Sequence, residues 1–273
     1  MINFDGFNYD SLGKVSEKNL NLFSGVPLHT EILMCSKSGI HFWEDHYFML
    51  MATLRKSRVN IPMTYTMEYF QDQINELTSI NAELGSNSLV SIQFYRTSSP
   101  NLSQPITDIC FFIKTKPHVF EKHNMTVELY KDYYINPGEY SNLYQTNFAL
   151  RDLAKIFAYE NQFGGCLLLN QGKYLVETTH GTLFLISAGT IKTPDLSSGT
   201  VNTVLRSKFI EQIKLEKSLQ FEETDIASYS LQKADEIFTL SLSSGFNIVQ
   251  QFRKKVYETE RSNALFDLIK NQL

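Results

Sequence analysis

The hydrophobic pattern of this chain changes period several times, and each change predicts an element. Residues 30–35, Thr-Glu-Ile-Leu-Met-Cys, and residues 39–42, Gly-Ile-His-Phe, are strand-like runs separated by the turn residues Ser36 to Ser38, which predicts a hairpin. From residue 43 to 56 the apolar spacing turns helical, with Phe48, Met51, Ala52 and Arg55 at its repeat. Pro62-Met63 opens a connector, and Thr66 is placed to cap a helix running through residue 82. Residues 89–95 and 106–114 are β-rich and flank the loop Ser98-Ser99-Pro100-Asn101. Together these predict a small α/β domain over residues 1–117, followed by a linker at 118–124.

A larger domain is expected over residues 125–273. It opens with a strand at 125–130 and continues into a helical run through Ala158-Tyr159-Glu160. The apolar strand Cys166-Leu167-Leu168-Leu169 follows, and an amphipathic helix at 264–273 ends the chain. No internal repeat, low-complexity run or heptad pattern is visible.

Composition narrows the class without naming a function. With 273 residues, 42% hydrophobic and 20% charged, the chain is ordinary for a globular protein and buries roughly three-quarters of its unfolded surface. The 20 Phe and 14 Tyr are spread along the sequence and read as core. A formal charge of −4 without a basic cluster gives no footprint for nucleic acid. Cys35, Cys110 and Cys166 lie far apart with no CxxC or Cys/His spacing, which predicts buried thiols rather than a metal site. The first residues lack the basic head and apolar run of a signal peptide, and no apolar stretch approaches the ~20 residues that cross a bilayer. A cytoplasmic protein, not associated with membrane, is the expectation.

The segment from Ser141 to Phe184 carries the chemistry. It holds Ser141-Asn142-Leu143-Tyr144-Gln145-Thr146-Asn147-Phe148 and, downstream, Val176-Glu177-Thr178-Thr179-His180-Gly181-Thr182-Leu183-Phe184. Further pieces are Glu44-Asp45-His46-Tyr47-Phe48-Met49-Leu50, the run from Thr193 through Thr203-Val204-Leu205-Arg206, and Ala234-Asp235-Glu236-Ile237-Phe238. In this order they resemble the class IV, or fold-type IV, pyridoxal-phosphate enzymes: branched-chain and D-amino-acid aminotransferases and aminodeoxychorismate lyase. The resemblance spans nearly the whole chain and lies in collinearity rather than in one motif. It implies the two-domain fold already described, a homodimer, and a small-molecule ligand in the cleft between the domains.

Residue by residue, the resemblance implies a site with key parts exchanged. Asn147, Ala158 and Glu160 fall on family markers, which puts Tyr144 where the family has its imine-forming Lys. Met49 stands at the Arg that grips the cofactor phosphate. Thr203 replaces a Gly at the helix N-terminus where Val204 and Leu205 offer backbone N–H groups to phosphate, and its Cβ is expected to narrow that approach. Leu242 stands for a phosphate-contacting Thr, with Ser241, Ser243 and Ser244 as neighbouring hydroxyls. Glu177 is retained at the position that pairs with the pyridine nitrogen, His180 falls in the turn beside it, and Arg206 has a structural role. Glu31 and His46 match an acidic residue and a His of the early strand and helix.

A phenol cannot form the imine that makes pyridoxal phosphate an electron sink, and Met cannot pair with a phosphate dianion. No Lys lies between Lys131 and Lys155, and both of these read as surface residues. Three readings stay open. One is a degenerate family member in which pyridoxal phosphate binds weakly or not at all. The second is an active aminotransferase or lyase that holds the cofactor without a covalent lysine. The third is a non-enzymatic binding or scaffolding subunit.

Overall fold

The computed structural model describes residues 1–16, 26–81, 87–97 and 108–273. The predicted loop at 98–101, residue 82 at the predicted helix end and residue 106 at the predicted strand start fall outside them. Two compact units divide the chain, Met1–Val119 and Phe120–Leu273.

The first unit is a six-stranded sheet in the order β2-β1-β6-β5-β3-β4. Its strands are β1 (Ile2–Phe4), β2 (Phe7–Tyr9), β3 (Val26–Ser36), β4 (Gly39–Ile40), β5 (Ser88–Arg96) and β6 (Ile109–Pro117). Helices α1 (Trp43–Lys56) and α2 (Met67–Ile80) lie on one face, where Leu50, Leu54, Phe70, Ile74 and Leu77 pack on Leu33, Val90, Ile92, Phe94, Phe111 and Ile113. Thr66 caps α2 by accepting the Tyr69 N–H at 3.1 Å, as its position in the sequence predicts. The opposite face is closed by Phe4 and Val15 against Cys110 and Phe112, so the period-2 pattern of β6 feeds two cores. The β1–β2 hairpin, which pairs with β6, is an addition to the elements the pattern predicts.

The second unit begins with β7 (Lys122–Leu129), earlier than the predicted start at 125, and Lys131 lies exposed beyond its end. Helix α3 (Phe148–Glu160) then crosses over to β8 (Gly165–Leu169), parallel to β7. Strands β9 (Tyr174–Thr178), β10 (Thr182–Ser187) and β11 (Thr190–Pro194) follow, then α4 (Val204–Leu215), β12 (Gln220–Thr224), β13 (Ile226–Ala227) and the short α5 (Ser230–Lys233). The chain closes with β14 (Glu236–Ser241), β15 (Gly245–Phe252), β16 (Lys255–Val256) and α6 (Glu260–Lys270). The sheet order is β12-β11-β10-β14-β15-β7-β8-β9-β13, with β16 on β15.

Alternation along β8 sends Cys166 and Leu168 toward Ala154 and Ala158 of α3, and Leu167 and Leu169 into a second core with Val127, Leu175 and Val249. Stacked and edge-on rings of Phe184, Phe209, Phe238 and Phe246 tie α4 to the sheet. Glu236 fixes α6 by accepting from the Arg261 and Ser262 N–H groups and the Ser262 hydroxyl, at 2.9, 2.7 and 2.6 Å. All three cysteines are free and buried, and burial pushes their thiols up to about 12. Among the described residues no helix is long and apolar enough to cross a membrane, and no cluster of His, Cys, Asp or Glu is placed to hold a metal ion.

Candidate functional site

Glu177 is positioned by an irregularity in the sheet. In the β8–β9 pair Leu168 faces Glu177 and Leu169 faces Leu175, so Val176 is an extra residue on β9. That bulge resets the alternation and turns Glu177 to the face shared with Leu168, beneath α3. The carboxylate is 4% exposed, so it needs charge compensation from the protein.

The compensation comes from Arg151 on the inner side of α3, a residue the sequence reading passed over. Its Nε donates to Glu177 Oε1 at 2.5 Å, and its side chain, like that of Glu177, is almost fully buried. The second Glu177 oxygen accepts the Val201 N–H at 3.2 Å. Arg151 Nη1 donates to the Tyr144 carbonyl at 2.7 Å, while Nη2 has no partner among the described residues. The signal available beforehand was register: Arg151 recurs with Ala154 and Ala158 at core-facing helical spacing, where a cation requires a buried anion.

Tyr144 opens a 3-10 turn, Tyr144–Asn147, that leads into α3. Its ring centroid lies 5.2 Å from the Arg151 guanidinium carbon and 5.8 Å from the Phe148 ring, so the side chain lies along the helix. The Lys155 ammonium donates to the Tyr144 hydroxyl at 3.4 Å from the exposed side of α3. Asn147 is buried at the helix start, and its Nδ2 has no partner among the described residues.

His180 sits in the turn between β9 and β10. Its N–H donates to Thr178 Oγ1 at 3.1 Å, and its Nδ1 lies 3.2 Å from Thr179 Oγ1. Burial, with the positive charges of Lys155 and His123 adding to it, lowers its pKa and favours the neutral ring. Gly181 makes this turn possible: its φ is +128°, and a Cβ there would stand 2.4 Å from the Leu240 carbonyl oxygen.

Thr203 is the N-cap of α4, and its hydroxyl accepts the Arg206 N–H at 3.2 Å. Its φ of −122° is ordinary extended backbone, and the side chain occupies one of the donors a helix N-terminus would offer. Val204 and Leu205 are buried in the first turn. Arg206 Nη2 donates to the Pro194 carbonyl at 3.0 Å and to Glu223 at 2.8 Å, which ties α4 to the sheet. Ser243 is exposed in the β14–β15 turn, with its hydroxyl 3.5 Å from that of Ser241, and Leu242 is buried.

Met49 belongs to the first unit, where it is half-buried on α1. An open concavity of about 510 Å³ in that unit is lined by Tyr47, Phe48, Met51 and Arg55 of α1 and by Ile61 to Met63; Met49 does not line it. Nearby, Glu31 bridges two histidines, with His29 Nε2 and His46 Nδ1 each 2.6 Å from its carboxylate. Burial alone would raise this carboxyl, but the hydrogen bonds and charges of His29 and His46 outweigh it and hold the pKa at about 2. Glu31 and His46 are both residues that the family resemblance marks, and their contact, like that with His29, comes from the structure.

The sequence profile of the amino-transferase class IV family matches residues 29–252. Solved structures share the fold. A branched-chain aminotransferase from Thermoproteus uzoniensis, crystallised with norvaline, matches with a TM-score of 0.84 and 16% identity over 99% of this chain and 93% of its own. The branched-chain amino acid aminotransferase of Escherichia coli matches with a TM-score of 0.83 and 17% identity over 97% and 91%. A candidate 4-amino-4-deoxychorismate lyase from Legionella pneumophila matches with a TM-score of 0.81 and 17% identity over 93% of both chains. No curated protein matches the sequence.

Proposed function

The chain belongs to the class IV aminotransferases, and from that premise we propose that it keeps the family's frame as a binding protein while having lost lysine-based pyridoxal-phosphate catalysis. The observation that carries this reading is the state of Glu177. One of its oxygens is held by a buried arginine at 2.5 Å and the other by a backbone N–H at 3.2 Å. A cofactor ring that needs this carboxylate for its nitrogen meets a group whose charge is already neutralised.

The surrounding residues support the same reading. Tyr144, at the position where the resemblance places the imine lysine, lies against Arg151 and Phe148. The amine of Lys155 is on the outer side of α3 and meets the tyrosine hydroxyl. Thr203 takes up the Arg206 N–H, which weakens the helix N-terminus as an anion receptor. The residues present therefore do not suit pyridoxal phosphate, and no catalytic step is assigned through it.

Incubation with pyridoxal phosphate, a panel of amino acids and a keto-acid acceptor, followed by chromatography of the keto acids formed, tests the reading. No turnover above the protein-free control is expected. Transamination that is lost in Glu177→Gln would overturn it.

A further inference from the structure

Resting on the reading that the imine lysine is absent, we propose that Arg151 is a built-in cation that closes the Glu177 site to protonated nitrogen heterocycles, and that removing it opens a site selective for flat cations. Its guanidinium is planar, charged and N–H donating, the properties through which a protonated heteroaromatic ring would meet a carboxylate. Arg151 is 3% exposed and shares the inner side of α3 with the small residues Ala154 and Ala158. The Tyr144 ring covers the guanidinium at 5.2 Å and the Tyr144 carbonyl holds Nη1 at 2.7 Å. Its Nη2 remains buried and unpartnered among the described residues, so this cation does not use every contact available to it.

Truncation to Ala would leave a void bounded by the Glu177 carboxylate, the Tyr144 carbonyl and an aromatic face. Such a cavity carries a negative charge that the fold cannot neutralise locally, because Arg151 is the one ion-pair partner of Glu177 among the described residues. A small planar cation supplies both the missing volume and the missing charge.

The test compares the full-length wild type with Arg151→Ala and Arg151→Ala/Glu177→Gln, using methylguanidinium and pyridoxamine 5′-phosphate as probes. Pyridoxamine 5′-phosphate has no aldehyde and forms no imine, so its binding reports site filling alone. The wild type is expected to give no saturable heat with either probe. Arg151→Ala is expected to bind methylguanidinium saturably, and at tenfold over Kd its folded-to-unfolded ratio rises about elevenfold. If Arg151→Ala folds only with the probe present, the refolding yield with and without methylguanidinium is the readout, and a gain supports the proposal. The double variant is expected to show no rescue.

Equal rescue in the double variant, or none in Arg151→Ala, overturns the proposal. So does saturable binding of pyridoxamine 5′-phosphate to the wild type that Glu177→Gln abolishes, an arm that needs no Arg151 variant. That last result leaves the loss of imine chemistry standing, whereas turnover with amino acids sinks the function reading itself.

Discussion

The Tyr144 ring lies over the Arg151 guanidinium, 5.2 Å from centroid to carbon, while the Tyr144 carbonyl accepts from the same guanidinium at 2.7 Å. Side chain and backbone of one residue thus hold one cation. The hydroxyl contributes little to this, since among the described residues its partner is the exposed Lys155 at 3.4 Å. Tyr144→Phe is expected to change stability by less than about 0.5 kcal/mol. Tyr144→Ala, which removes the aromatic face, is expected to cost about 1–2 kcal/mol. Urea denaturation of the two variants checks the contrast; an equal loss in both would point to the hydroxyl instead.

Removing one partner of the Arg151–Glu177 pair leaves the other charge buried. Glu177→Ala is therefore expected to cost about 3–5 kcal/mol. Replacing both, as in Arg151→Met/Glu177→Leu, removes both charges and is expected to recover most of that loss. Chemical denaturation gives the comparison, and additive losses in the double variant would contradict the coupling.

Acid sensitivity follows from Glu31. Its folded pKa of about 2 lies below its unfolded value, so the stabilisation it contributes is full above the unfolded value and is lost as pH falls toward 2. Stability measured between pH 5 and 2 (about the range over which an unfolded carboxylate and this one titrate) is expected to decline, and Glu31→Gln should flatten the slope. An unchanged slope in that variant would assign acid sensitivity to other carboxylates.

Gly181 is the backbone hinge of the turn that carries His180. Substitution by Ala combines a φ of +128° with a Cβ 2.4 Å from a carbonyl oxygen. A loss of at least about 1–3 kcal/mol is expected. A thermal melt of Gly181→Ala indistinguishable from wild type would show that the turn relaxes freely.

Much of the frame was legible because its elements are locally determined. The helix at Trp43–Lys56 and the Thr66 cap follow from spacing and from one hydroxyl in the right place. The β1–β2 hairpin was missed because two three-residue strands carry too little pattern and gain their place by pairing with β6. The final helix begins at Glu260, earlier than its apolar stripe suggests, because Glu236, far away in sequence, caps it.

The site divides in the same way. Tyr144 and Glu177 were visible by collinearity with a known family. Arg151 was not, since its meaning depends on the bulge at Val176 that turns Glu177 toward α3, a register effect that no local window reveals. His29 meets Glu31 two residues along β3, on the same side of the strand, and His46 reaches the same carboxylate from α1.

The central claim is that no lysine of this chain meets the cofactor aldehyde. Wild-type protein incubated with pyridoxal phosphate, reduced with borohydride, digested and read by mass spectrometry tests it most directly. The account expects only trace, distributed labelling of surface lysines that free cofactor analogue does not compete away. A single stoichiometric pyridoxyl-lysine, protected by pyridoxamine 5′-phosphate, would contradict it.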